Sequence, residues 1–63
     1  MTQKELSYFE DAIGHVGNII KILEESMKNV NNQEILSFMQ EELNKHNNLK
    51  QELITKLGEK ANG

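Results

Sequence analysis

The amino-acid sequence predicts an all-α fold: an antiparallel two-helix hairpin that dimerises into a four-helix bundle. Three observations predict it. The chain has no proline, glycine is absent from residues 18–57, and the apolar residues recur at alternating steps of three and four. This spacing places them on one face of a helix, and the lack of breakers disfavours the tight turns of an all-β fold. The 63 residues are predicted to form a single domain, 1–63.

The first helix is predicted over about residues 3–29. Thr2 and Glu5 have the spacing of a capping box, in which each side chain binds the backbone N–H of the other residue. The apolar residues that follow keep an unbroken a/d heptad pattern, which predicts a buried helix face. These residues are Leu6, Phe9, Ile13, Val16, Ile20, Leu23, Met27 and Val30.

A second stripe lies beside the first on the same helix. Together the two stripes cover about half of the helix circumference, which is wider than one neighbouring helix can bury. We therefore expect helix 1 to contact two neighbours, as in a four-helix bundle. The second stripe consists of Tyr8, Ala12, His15, Ile19, Ile22 and Ser26.

A loop at residues 30–32 is predicted to join the helices. Asparagine tolerates the left-handed conformation at a helix end and also caps the next helix. Asn31 and Glu34 have capping-box spacing, so a box is expected there.

The second helix is predicted over about residues 32–57. Gly58 is expected to end it, with a frayed tail over 58–63. Its core face keeps the same rhythm, although His46 and Lys50 interrupt its apolar character. The predicted core residues of this helix are Leu36, Met39, Leu43, His46, Leu53 and Leu57.

Acidic and basic residues are spaced so that they support both helices. A glutamate four residues before a lysine is the favourable orientation for a pair on a helix surface. Three such pairs are predicted: Glu24–Lys28, Glu41–Lys45 and Glu52–Lys56.

Association with a second copy is expected because a lone hairpin is only one layer thick. Every side chain in such a hairpin has water on at least one side, and chains of this size usually need a cross-link or a partner. The sequence has no cysteine, which excludes a disulfide. A homodimer with two-fold symmetry is the simplest closed assembly.

Composition argues against several classes of function. The net charge is −3, and all seven basic residues are lysines, which disfavours nucleic acid as a partner. No apolar run approaches the ~18 residues of a membrane span, so we expect no membrane partner and a cytoplasmic protein. There is no glycine-rich phosphate loop. Ser26 or Ser37 with a histidine lacks the strand–turn–helix setting of a nucleophile, so no enzyme and no cofactor are expected.

A metal site that includes the two histidines is the alternative to a chain without a functional site. Asp11 precedes His15 by four residues and Glu42 precedes His46 by four, so each acid shares a helix face with an imidazole. Such groups suit Zn, Mn or Fe. We favour the other interpretation, with no metal site. His46 is then a polar residue in the helix seam that fixes register, hydrogen-bonded to Glu42 or to water.

Two segments of the chain resemble known proteins. Leu6-Ser-Tyr-Phe-Glu-Asp-Ala-Ile-Gly-His15 and Gln40-Glu-Glu-Leu-Asn-Lys-His46 resemble small helical proteins of spore-forming Firmicutes, similar to the coat-F-like spore coat proteins of the ferritin-like set. This resemblance implies an up-down helical bundle and a spore-associated role. Ferritin-like iron sites use Glu-x-x-His, whereas this chain has a spacing of four in both places.

The architecture also resembles the plasmid copy-number regulator that binds paired RNA loops as a dimer of hairpins. This resemblance implies a regulatory module that docks on RNA, and docking on another protein is a further alternative. The interpretation we favour is a non-enzymatic structural or interaction protein that acts through helical-bundle oligomerisation.

Overall fold

A computed structural model describes residues 1–62 and confirms the all-α class. Within these residues the chain forms two α-helices and no strand: α1 over Gln3–Met27 and α2 over Gln33–Asn62. The helices pack against each other as a hairpin. The molecule is thin and long, 46 × 15 × 10 Å, so each helix has a single neighbour within the chain.

The predicted capping box at the start of α1 is confirmed. The Glu5 backbone N–H donates to the Thr2 Oγ1 atom at 3.0 Å, and the Thr2 N–H donates to the Glu5 carboxylate at 2.8 Å. Two hydrogen bonds lower the pKa of Glu5. The larger effect comes from the bond with the Thr2 backbone and the smaller from the bond with the Thr2 side chain. A lowered pKa means that this contribution to stability is present above the unfolded pKa of about 4.3 and is lost as the pH falls through the folded value.

The loop differs from the prediction in how it ends one helix and starts the next. α1 ends at Met27 rather than at residue 29, and its C-cap residue Lys28 keeps right-handed helical angles. No residue in the described part of the chain has a positive φ, so the asparagines do not use the left-handed conformation. Asn32, rather than Asn31, caps α2: its Oδ1 atom accepts the Ile35 N–H at 3.0 Å.

The end of α2 also lies later than the prediction of residue 57. The helix continues through Gly58 to Asn62, and Gly63 of the predicted tail lies outside the described residues. A glycine costs about 1 kcal/mol in a helix but does not stop it unless it takes a positive φ. Gly58 does not, and an ion pair between Lys56 and Glu59 at 3.6 Å spans it.

The core is the seam between the two helices. All the predicted core residues of both helices are buried or half-buried. Val16 and Ile20 are the most enclosed, at 8% and 9% exposure, and among the described residues no side chain is completely buried. The hairpin therefore builds a narrow contact line rather than an enclosed core.

Three lysines pair with acids other than those predicted. Lys28 binds Glu25 at 3.4 Å, Lys45 binds Glu42 at 3.2 Å, and Lys56 binds Glu59. Each pair is separated by three residues rather than four. Both spacings bring side chains together on a helix surface, so spacing alone does not choose between neighbouring acids.

Candidate interaction surface

Several large apolar side chains remain exposed after the hairpin has formed. We call six of them the apolar face: Tyr8, Ile19, Ile22, Ile35, Phe38 and Leu49. They are between 41% and 64% exposed, with Ile22, Tyr8 and Phe38 the most open. Exposed apolar side chains are common singly, but several on one side of a molecule can mark a contact surface.

Heptad positions place the apolar face on one side of the hairpin. If Leu6 and Leu36 are both a positions, every member of the face lies at a g or c position of its helix. These two positions flank the seam on the same side. Because the helices run in opposite directions, the g edge of α1 lies next to the g edge of α2.

A groove at the open end of the hairpin supports this assignment. Its volume is about 540 Å³, and it is lined by Glu5 and Tyr8 of α1 together with Lys56 and Lys60 of α2. Glu5 and Lys56 are both g residues, and Tyr8 is a c residue. The g edges of the two helices therefore meet along one side.

The opposite side of the hairpin has a different composition. Its e and b positions carry mostly polar residues and glycine. Gly14 is open there: a Cβ atom added to it would meet nothing within 4 Å. Gly14 therefore marks no close approach of the two helices. Ile54, at 43% exposure, is the large apolar exception on this side.

Three of the six residues in the stripe predicted beside the a/d seam of α1 belong to the apolar face. Tyr8, Ile19 and Ile22 are exposed because α1 has only α2 as a neighbour in the hairpin. The sequence prediction did not group α2 residues with this stripe. The signal for the α2 members was their heptad position: g or c for each of Ile35, Phe38 and Leu49.

The four residues considered as possible metal ligands differ in their exposure to solvent. Asp11 and His15 are exposed, whereas Glu42 and His46 are half-buried. The His46 Nδ1 atom donates to the backbone carbonyl oxygen of Glu42 at 2.6 Å, while the Glu42 carboxylate binds Lys45. Across the described part of the chain, no three His, Asp or Glu side chains are placed to hold a metal ion together.

Replacing His46 by leucine tests its predicted role in the seam. We expect His46→Leu to melt about 5 °C higher in metal-free buffer, because an apolar side chain fills a half-buried seam position better than an imidazole. Losing the hydrogen bond to the Glu42 carbonyl costs little, since that oxygen also accepts the helical N–H. Thermal melts with and without Zn²⁺ or Fe²⁺ provide the measurement. A metal-induced rise seen only with the parent protein would contradict this role.

Three of the seven lysines are paired with acids. Lys28, Lys45 and Lys56 each lie within 3.6 Å of a carboxylate, which offsets their charge locally.

A search of residues 1–62 for membrane-spanning helices found none that is both long and apolar enough. Comparisons of the chain with protein-family models, curated proteins and solved structures found no match.

Proposed function

We propose that this chain is a non-enzymatic structural or interaction protein that assembles with a second copy of itself into a four-helix bundle. The observation that carries the proposal is the apolar face, whose six large side chains remain 41% to 64% exposed on one side of the hairpin. Covering that side gives α1 and α2 the second neighbour that each lacks.

The dimensions of the hairpin fit a stable dimer. A side of 46 by 15 Å has an area of about 690 Å². Stable interfaces bury about 800 Å² on each partner. The value of about 690 Å² is the extent of the Cα trace, and side chains that project from the surface add to it. Burial of apolar surface stabilises by about 25 cal/mol per Å². Among the described residues of a single hairpin only Val16 and Ile20 are buried, so the hairpin alone gains little from this effect.

Symmetry explains why a second copy is the partner. In a two-fold dimer the same patch on both chains forms a single interface, so one contact covers both apolar faces. A different partner would need its own matching apolar surface of the same length.

The cellular setting that we propose is the cytoplasm or the spore coat of a spore-forming bacterium. It rests on the resemblance of residues 6–15 and 40–46 to coat-F-like proteins. A homodimeric bundle suits this setting because it presents polar residues outward and needs no cofactor.

Light scattering tests the assembly directly. At micromolar concentration we expect about twice the chain mass of 7.2 kDa. The melting temperature should also rise with protein concentration, because a dimer is stabilised by mass action. A mass of one chain together with a melt that does not depend on concentration would overturn the proposal.

A further inference from the structure

The loop between α1 and α2 contains no residue that by itself stops a helix. Its five residues, 28–32, include neither glycine nor proline. Lys28 keeps right-handed helical angles, and no described residue has a positive φ. Three of the five are asparagines, which weaken a helix far less than proline does. One long helix that runs through the loop is therefore the conformation with which the hairpin competes.

One long helix would change what each seam packs against. α1 and α2 of the same chain would no longer touch, so α1 would pack against α2 of a second copy and α2 against α1 of that copy. Such an exchange of elements between copies leads to a dimer at low cost when the connecting loop allows it. Because the two long helices would lie side by side, the seams of both halves of each helix must lie on the same side.

The spacing of the seam residues across the loop does not meet this requirement. Leu36, the first a residue of α2, follows Met27, the last a residue of α1, by nine residues. At 3.6 residues per turn, nine residues rotate a helix by about 900°, which places these two side chains about 180° apart. In one long helix the seam of α2 would therefore lie on the side opposite to the seam of α1.

The side of α2 that would face the second copy instead is polar. Its centre consists of the f positions, which are exposed in the hairpin: Glu34, Glu41, Asn48 and Thr55. Packing them against the apolar seam of α1 would desolvate two carboxylates in each chain, which is costly without partners for the charges. Seam residues of α2 such as Leu43 would face water. The hairpin avoids both costs, because its non-helical loop lets α2 turn its seam toward α1.

We propose that the nine-residue spacing between Met27 and Leu36 is a conformational lock, which keeps each chain a closed hairpin and prevents two copies from exchanging helices through one long helix. Two residues of the loop make the difference. Without Asn31 and Asn32 the spacing would be seven residues, one heptad, and the a/d pattern would run unbroken through both helices. The lock acts within each chain, so it does not depend on the proposed dimer.

A distance within one chain distinguishes the hairpin from the long helix. α1 ends at Met27 and α2 begins at Gln33, so residues whose numbers add to about 60 lie at the same height of the hairpin. Asp11 and Asn48 form such a pair, and both are exposed f residues on the outer sides of the two helices. The chain has no cysteine, so Asp11→Cys with Asn48→Cys accepts two spin labels. In the hairpin they should lie about 30 Å apart, because packed helices are about 10 Å apart and both labels point outward.

Deleting Asn31 and Asn32 from this labelled chain tests the lock. The two labels are then about 35 residues apart, so one continuous helix should separate them by about 52 Å. Refolding with an excess of unlabelled chain of the same variant restricts the measurement to two labels on one chain. We expect the distance to rise from about 30 Å in the undeleted chain to about 52 Å after the deletion.

Replacing the same two residues, with Asn31→Ala and Asn32→Ala, is the matched control. It removes both asparagine side chains, including the cap of α2, but keeps the nine-residue spacing. This variant should therefore remain a hairpin, with the labels about 30 Å apart. A distance of about 52 Å in it would show that the asparagines, and not the spacing, keep the hairpin closed. A distance that stays at about 30 Å after the deletion, or loss of the helical circular dichroism signal, would also overturn the lock.

Discussion

Ile20→Asp should abolish folding. Ile20 is 9% exposed and is one of the two most enclosed side chains of the seam. Removing a buried isoleucine costs about 2 to 5 kcal/mol, and a carboxylate placed there without a partner adds to that loss. The whole free energy of unfolding of a chain of this size is about 3 to 9 kcal/mol. The variant should therefore lose the helical circular dichroism signal of the parent at micromolar concentration.

Lys21→Asp provides the control at the neighbouring position. Lys21 is exposed and lies at a b position, away from both the seam and the apolar face. It should keep the parent signal and melt within about 3 °C of the parent, since surface changes usually stay within about 0.5 kcal/mol. Equal losses at the two positions would show that the heptad register of α1 is wrong.

The double substitution Ile22→Glu with Phe38→Glu should dissociate the dimer. These side chains are 64% and 62% exposed in the hairpin, so each tolerates a polar replacement within its own chain. In the dimer they face the second copy, where four carboxylates would be buried close together. We expect the dissociation constant to rise by at least about 100-fold, which corresponds to about 2.7 kcal/mol. Sedimentation at a series of protein concentrations gives this constant.

The pair Asn18→Glu with Asn47→Glu is the matched control for charge. It adds the same two negative charges per chain, at exposed positions outside the apolar face. This variant should keep the parent mass. If the substitutions at Ile22 and Phe38 left the mass unchanged as well, the apolar face would not be the contact between copies.

Local sequence determines the two helices and the seam. The box between Thr2 and Glu5 was predictable because it joins residues three apart, which any helix start brings together. The a/d rhythm likewise identified Val16 and Ile20, since helical periodicity fixes which side chains share a face. These features depend on neighbours in the chain, so they can be inferred without a structure.

The tertiary structure decided the features for which the sequence offers near-equal choices. Asn31 and Asn32 are both competent caps, and the path of the loop selects Asn32. Lys45 has a glutamate at both three and four residues, and it binds Glu42 at 3.2 Å. Gly58 ends a helix only when its φ becomes positive, and here α2 continues through it.

The same division applies to the candidate site. The stripe of α1 that contains Tyr8 and Ile22 was visible in the sequence. That Phe38 of α2 lies on the same side of the hairpin depends on the two helices running in opposite directions with their g edges together. Periodicity describes one helix at a time and gives the angle of each residue about its own axis. Which angles of two helices meet is set by how the helices pack, and that packing leaves six large apolar side chains exposed on one side of this hairpin.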